Sequence, residues 1–467
     1  MTKHHANGSV ACFKARLVAQ GNHQEYGINY TETFSPVAKL PTIRILLTIA
    51  LHHSWPVHQV DVENAFLHSN LNEIVYMLQP KGFEDKTKPN HVCRLHKATY
   101  GLKQAPRQWY NMFTASLTSL GFNHSQSDPS LLIFNKDSTQ IYILVYVDDI
   151  LITGNNDTEI SKLIKQLNQS YALKHLGHVH NFLGIKIRSE PNSYFLSQPH
   201  YANSILQLAG HTNSKPTANS ACTKLPLTIA SDPILSDSTL FRRIIGSLQY
   251  LTLTHPDIVF IVNLMSQHIH NPLLNHIHLI KQLLRYIKET QNFGIPITKG
   301  NLSIRSFSDA DWASDPVSRK STSGYCTFIG DNIISWKVQK KHTVARSSTE
   351  AEYRSLAALT ADFIWLRQAL SDFGIKPDQP TELHCDNMSA IIIANNSVFH
   401  ARTKHIEIDQ RFVRDNIQKN NIKILPVSTI DQIADVLTKP LSTKRLCQLR
   451  DKLMVLPDPS VCGGVLE

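Results

Sequence analysis

No apolar run in this 467-residue chain reaches the roughly eighteen residues that a membrane-spanning helix needs. The opening residues, MTKHHANGSV, lack the apolar core of a secretion signal. The seven cysteines are scattered, odd in number and without any CxxC spacing, so neither a zinc module nor a disulfide framework is expected. These absences exclude membrane and secreted classes and predict a soluble protein in a reducing, intracellular compartment. Acid is also in deficit: 47 Lys plus Arg stand against 37 Asp plus Glu, a formal charge of +10. That imbalance, with a pI near 9.1, points to a polyanionic partner such as nucleic acid. The length is enough for two to four domains with cores of their own.

Against that basic background, paired acids stand out. In YILVYVDDILITG, residues 142–154, two apolar β-rich runs flank Asp148 and Asp149, and the pattern reads as a hairpin with the acids at its tip. An ordinary Asp-Asp turn is the plain alternative. Strands this apolar are expected to be buried on both faces. Two like charges about 4 Å apart in such a setting cost on the order of 4 kcal/mol at an effective dielectric near 20. A cation between them removes that cost, and a magnesium pair is the natural occupant for phosphoryl chemistry.

Upstream, CFKARLVAQG at 12–21 reads as a short strand placing Lys14 and Arg16 on one face, fit either to meet a triphosphate or to lie solvated at an edge. IRILLTIALHHS has helical spacing and supplies core. HQVDVENAF opens as a strand that sets Asp61 between Val60 and Val62, a candidate third carboxylate. Trp109, Tyr110 and Phe113 begin an amphipathic helix and read as core. YALKHLGHVHNFLGIKI reads as a strand pair interrupted by Gly177 and Gly184. In it His178 and His180 read as surface or nucleic-acid-facing and not as a metal pair. His268, His270, His276 and His278 are discounted as a metal cluster, because i, i+2 spacing does not share a helix face.

QVDVENAFLHSNLNEIVYM, CRLHKATYGLKQAPRQWY and LVYVDDILITG, in this order and spacing, resemble the reverse transcriptase of copia-type long-terminal-repeat retrotransposons. FKARLVAQG and TETFSPVAKLPTIRILL extend the likeness upstream. The resemblance implies that Asp61, Asp148 and Asp149 are palm carboxylates binding two Mg²⁺ ions, with Mn²⁺ as a substitute. It implies that Phe66 lies beneath the nucleotide sugar and excludes a 2′-hydroxyl; a plain core Phe is the other reading. Tyr100, Gly101, Lys103 and Gln104 fall in the segment that shapes the nucleotide pocket and contacts the template, the glycine allowing close backbone approach.

A second acidic series follows. LSIRSFSDADWASD is a strand ending in acids, two strands lead into a helix at SSTEAEY, and TELHCDNMSA carries Asp386 at a strand end. DQIADVLTK places Asp435 on a last helix. The order β-β-β-α-β-α-β-α resembles the ribonuclease H domain of the same retrotransposons. Asp309, Glu352, Asp386 and Asp435 would then hold two Mg²⁺ ions that cleave the RNA of an RNA/DNA hybrid. Glu350 competes with Glu352, which is preferred because EYRSLAA fits the family helix. Asp311 and Asp315 are expected behind or beside the site, and Ser347 to Thr349 offer a helix N-cap.

The fold implied is α+β, a right-hand polymerase (fingers, palm, thumb) followed by an α/β ribonuclease H-like domain. Expected boundaries are 1–170 for fingers and palm, 171–225 for primer grip and thumb, 226–300 for a helical connection, 301–442 for the nuclease and 443–467 for a tail. Partners would be RNA template, DNA primer, dNTPs and RNA/DNA hybrid. Location would be the cytoplasm, within a virus-like particle, or the nucleus. Related polymerases carry several dozen more residues before FKARLVAQG, so incomplete fingers are expected. The alternative reading is a polymerase-inactive remnant that keeps only hybrid cleavage or nucleic-acid binding.

Overall fold

The computed structural model describes residues 2–4, 9–13, 15–222, 237–376, 379–396 and 406–462. Lys14, His405 and the expected linker from residue 223 onward lie outside them. The chain divides into two compact units, Met1–Lys39 with Trp55–Val179 and Leu40–Ser54 with His180–Glu467. No helix among the described residues is long and apolar enough to cross a membrane.

The first unit opens with a ribbon of β1 (Thr2–His4) and β2 (Val10–Phe13). The strand expected over 12–21 therefore stops before Arg16. Beyond it only Val18 forms a bridge, to Tyr100. Next to that bridge Gly101 turns in the left-handed region (φ +92°) directly against Ala19, whose carbonyl a Cβ at 101 would meet at 2.0 Å.

Strand β3 (Val57–Val62) is followed by a single helical turn α2 (Ala65–His68), then the ribbon β4 (Asn70–Leu78) and β5 (Val92–Lys97). Helix α3 (Ala105–Ser119) leads to β6 (Asn123–His124), β7 (Leu131–Lys136), β8 (Thr139–Tyr146) and β9 (Asp149–Gly154). Helix α4 (Asp157–Ser170) and β10 (Leu173–His178) complete a six-stranded sheet in the order β10-β3-β9-β8-β7-β6. Val60, Ile143, Val145, Ile150 and Ile152 are buried with Trp109, Phe113 and Leu117 of α3 and Ile160, Leu163 and Leu167 of α4. The i, i+3, i+7 spacing in α4 makes the stripe. Asn156 caps that helix by accepting from the Glu159 N–H at 3.1 Å. The resemblance assigns this sheet to the palm.

The second unit contains α1 (Leu40–His52), buried almost all round from Thr42 to Leu51. Its Arg44 stacks on Trp336 and donates to the carbonyls of Ile334 and Leu253 at 2.9 and 2.8 Å. Five strands, β11 (Asn181–Phe182), β12 (Ile185–Glu190), β13 (Ser193–Ser197), β14 (Phe293–Thr298) and β20 (Leu456–Pro457), form one sheet. The expected strand pair over 171–187 is thus divided: β10 pairs with β3, and β12 with β11 and β13. Helices α5 (Pro199–Leu208), α6 (Thr239–Leu251), α7 (Val259–Ser266) and α8 (Leu274–Thr290) break near the two expected prolines, 256 and 272.

The last sheet runs β17 (Asn332–Lys340), β16 (Thr322–Ile329), β15 (Ile304–Asp311), β18 (Thr381–Cys385), β19 (Ile422–Pro426). β15, β16 and β17 are antiparallel, while β15, β18 and β19 are parallel and need crossovers. Helices α9 (Ser348–Asp372), α10 (Met388–Asn395) and α11 (Glu407–Gln418) lie between them in sequence. This is the ribonuclease H-like arrangement, which makes the whole chain α+β. Two expectations are corrected. Asp435 lies on a 3₁₀ turn, Ile433–Leu437, and not on the last helix. Nor is the segment after 442 a tail: α12 (Thr443–Lys452) follows, β20 pairs with β14, and Asp458 pairs with Arg188.

Candidate functional site

In the first unit the acids converge because register aligns them. Asp61 of β3 stands opposite Asp149 of β9, which in turn stands opposite Tyr146 across the hairpin. Directly opposed residues share a face, so both carboxylates project on one side of the sheet. The connection is a two-residue turn, Val147 and Asp148. Val147 takes φ +57°, which a β-branched residue rarely adopts. Two bonds hold the turn: buried Trp109 donates Nε1–H to the Val147 carbonyl at 2.7 Å, and the Val62 N–H donates to the Asp148 carbonyl at 2.9 Å. Trp109 is core as expected, but its indole N–H also positions the acidic tip. Sequence reasoning missed that bond, because no local pattern joins 109 to 147.

Burial first, then the charges of Asp148 and Asp61, push the Asp149 carboxyl up to about 6. Such a cluster is improved by a cation. On the other side of Asp61 in the ladder is Lys174 of β10, an exposed cation on the same face that sequence analysis did not single out.

The candidate nucleotide residues separate. Exposed Arg16 has its guanidinium 5.2 Å from the Tyr100 ring centroid. Burial, followed by the charge of Asp148, raises the Tyr100 hydroxyl, and Arg16 works against that rise. Phe66 packs on Tyr100 with ring centroids 4.8 Å apart. Gly101 is needed, as expected, for close backbone approach, but what it approaches is Ala19 of the same chain. Lys103 donates to the Gln24 carbonyl at 3.0 Å and lies over Tyr30. Gln104 is fully buried: its side chain accepts from Gln24 at 2.9 Å and donates to the Asn29 carbonyl at 2.9 Å. It braces the 20–30 loop and has no surface with which to meet a nucleotide.

The second acidic set is gathered from four elements. Asp309 lies on β15, Asp386 just after β18 and Asp435 on the 3₁₀ turn, with one oxygen of each within 4.8 Å of the others. Glu352 of α9 comes as close to Asp386. Glu350 instead pairs with Arg354 at 2.6 Å and accepts from the Arg346 N–H at 2.8 Å. Of the two glutamates, 352 is therefore the one that faces the acids. Burial, followed by Asp309 and then Asp386, lifts the Glu352 carboxyl well above the ordinary range, and burial does the same to Asp309.

This site carries its own cations. Lys439 Nζ is 2.9 Å from Asp435 and 3.3 Å from Asp309, Arg445 is 3.4 Å from Asp435, and Thr438 donates its hydroxyl to Asp309. Burial disfavours the Lys439 charge, yet Asp309 and Asp435 more than offset it and raise its pKa. A lysine four residues beyond Asp435 was the available signal in the sequence. Gln432 fastens the turn to β15 by donating to the Ser308 carbonyl at 2.9 Å, and Ser355 of α9 donates to the Asp309 carbonyl at 2.9 Å. Gly324 makes room: a Cβ there would meet Leu437 Cβ at 2.7 Å and Thr438 Cγ2 at 2.8 Å. Asp315 is occupied with Lys340 and Ser318. Asp309, Asp386 and Asp435 form an all-carboxylate set that suits a hard divalent ion; beside it the buried thiol of Cys385 lies with Glu352 and Asp386, and Glu352 Oε2 is buried without a hydrogen-bond partner.

Two separate clusters of carboxylates, one on the six-stranded sheet and one on the last five-stranded sheet, stand where the resemblance implies a polymerase and a nuclease centre. Residues 1–222 match the family model described as reverse transcriptase (RNA-dependent DNA polymerase). A retrovirus-related Pol polyprotein from transposon RE2 of Arabidopsis thaliana is 45% identical over 466 residues, 100% of this chain and 32% of that protein. The corresponding polyprotein from transposon TNT 1-94 of Nicotiana tabacum is 36% identical over 93% of this chain and 34% of that protein. A transposon Ty5-1 protein of Saccharomyces cerevisiae is 31% identical over 63% of this chain and 97% of its own length. The chain belongs to the reverse transcriptase family of copia-type retrotransposon Pol polyproteins. It spans about a third of the length of the Pol polyproteins it matches. Reverse transcriptases and ribonucleases H generally use divalent metal ions.

Proposed function

We propose that this chain copies RNA into DNA, extending a DNA primer on an RNA template with dNTPs, and then hydrolyses the RNA strand of the hybrid. The observation that carries the reading is the alignment of Asp61 with Asp149 beside the turn bearing Asp148. Asp61, Asp148 and Asp149 would hold one pair of Mg²⁺ ions, and Asp309, Glu352, Asp386 and Asp435 a second pair, with Mn²⁺ as a substitute. Such ions, when bound, lower the pKa of a primer hydroxyl or a water and offset charge on the phosphate oxygens. Arg16 offers an exposed guanidinium for a triphosphate. Phe66 and Tyr100, their rings packed at a tilt, would form a floor under the sugar that leaves no room for a 2′-hydroxyl. At the nuclease site Lys439 and Thr438 keep Asp309 and Asp435 in place between turnovers. The +10 charge suits phosphate backbones, so binding should weaken with salt.

The test uses a labelled DNA primer on a labelled RNA template with Mg²⁺ and dNTPs, following extension and RNA shortening in one tube. Both activities are expected. Hybrid binding without either reaction would overturn the reading.

A further inference from the structure

The palm sheet gathers three histidines away from the carboxylates. His178 of β10 stands opposite His58 of β3, and a break in register between His175 and His178 brings the third ring beside them. His58 is 7% exposed, and its Nδ1 lies 3.2 Å from His175 Nε2. Its other nitrogen, Nε2, lies 2.7 Å from Asp157 Oδ1. The His178 ring centroid is 5.6 Å from that of His58.

The carboxylate settles the tautomer. Ionised Asp157 only accepts, so His58 Nε2 carries the proton, and in the neutral ring Nδ1 presents a lone pair toward His175. A carboxylate behind a histidine in this way is how metal-ligating imidazoles are commonly oriented and made more basic. Two imidazole nitrogens bound tetrahedrally to one Zn²⁺ at about 2.0–2.1 Å lie about 3.3 Å apart, close to the separation of this pair.

We propose that His58 Nδ1 and His175 Nε2 are two ligands of a transition-metal site selective for imidazole-preferring ions such as Zn²⁺. His178 turns in as the third ligand, water is the fourth, and Asp157 orients His58. The ion staples β3, three residues before Asp61, to the edge strand β10. Imidazole donors suit Zn²⁺, Ni²⁺ or Cu²⁺ and not Mg²⁺, so the site is chemically separate from both carboxylate clusters. It does not depend on the polymerase reading.

The full chain, stripped with chelator and then held in excess Mg²⁺ to occupy the carboxylates, is titrated with Zn²⁺ by calorimetry and with Co²⁺ by visible absorption. One equivalent with the intense spectrum of tetrahedral Co²⁺ is expected. Asp157→Asn should weaken binding about 10-fold. Exposed His175→Ala should weaken it more, and His91→Ala, on a distant loop, not at all. Absence of saturable binding, or binding unchanged in His175→Ala, overturns the proposal and leaves a proton shared between two rings. Because His58 is buried and its replacement risks the fold, the decisive variants are those at His175 and Asp157, with circular dichroism matched to the parent.

Discussion

The two acidic sites solve the same electrostatic problem in different ways. At the palm the carboxylates are half-buried on one open face, and burial with mutual repulsion lifts Asp149 to about 6. At the nuclease site Asp309, Glu352 and Asp435 are buried, and Lys439, Arg445 and Thr438 already answer two of them. The first can relax into water when empty. The second cannot, since an isolated charge in a low-dielectric interior costs several kcal/mol even after relaxation. The chain therefore supplies the nuclease acids with cations of its own, and it positions the palm acids through backbone register and one indole hydrogen bond.

The largest effects should separate the sites outright. Asp148→Asn with Asp149→Asn should reduce primer extension by about 10³-fold or more, given several kcal/mol of charge stabilisation from bound metal, and leave hybrid cleavage intact. Asp386→Asn should do the reverse. Parallel loss of both activities in either variant would end the claim of two independent sites.

Gly324→Ala sharpens the contrast by moving one site without touching an acid. The new methyl collides with Leu437 and Thr438, so the 3₁₀ turn and Asp435 must shift by several tenths of an ångström. A misplacement near 1 Å costs about 10²-fold in rate, so hybrid cleavage should fall between 10- and 100-fold while primer extension holds. Steady-state rates on the two substrates decide it.

Lys439→Met tests the internal cation directly. Removing one member of a buried ionic cluster typically costs about 3–5 kcal/mol; with Lys439 32% exposed and the acids free to take up protons, about 2 kcal/mol is expected without metal. Mg²⁺ should recover most of that loss. Thermal unfolding of the variant with chelator and with Mg²⁺ checks this, and equal destabilisation in both would mean that Lys439 acts through packing alone.

These residues also mark how far the sequence was legible. Many strands and helices and the strand-borne acids could be read from apolar periodicity and turn residues, which are local, while the α+β class came from the resemblance. Asp61 meeting Asp149 was also foreseeable once both were placed on strands. Unreadable were the contacts that join distant segments: Trp109 to Val147, Gln432 to Ser308, Lys439 to Asp309, and His58 to His175. Gln104 was expected at the pocket because the resemblance assigns its segment there, yet the 20–30 loop folds over it and engages both its side-chain oxygen and its side-chain nitrogen. The segment after 442 was expected to be a tail because it looked like the end of a polyprotein, although its Arg450 packs over Phe293 and its Pro457 pairs with that same residue.

The smallest effect concerns protons at the palm. A carboxyl raised to about 6 in the folded state, against about 3.9 when unfolded, binds its proton more tightly when folded. Its contribution to stability is therefore fully present below pH 4 and is lost as pH rises through 6. Metal-free protein should lose stability across that window, and Asp149→Asn should flatten the slope, since the amide cannot ionise. Mg²⁺ should flatten it as well, by taking the place of the proton among Asp61, Asp148 and Asp149. Unfolding midpoints at pH 4.5 to 7 for parent and variant, with and without Mg²⁺, measure the difference. If the parent and Asp149→Asn slopes coincide in chelator, the palm acids are solvated well enough to need neither proton nor metal, and the contrast with the nuclease site becomes wider still.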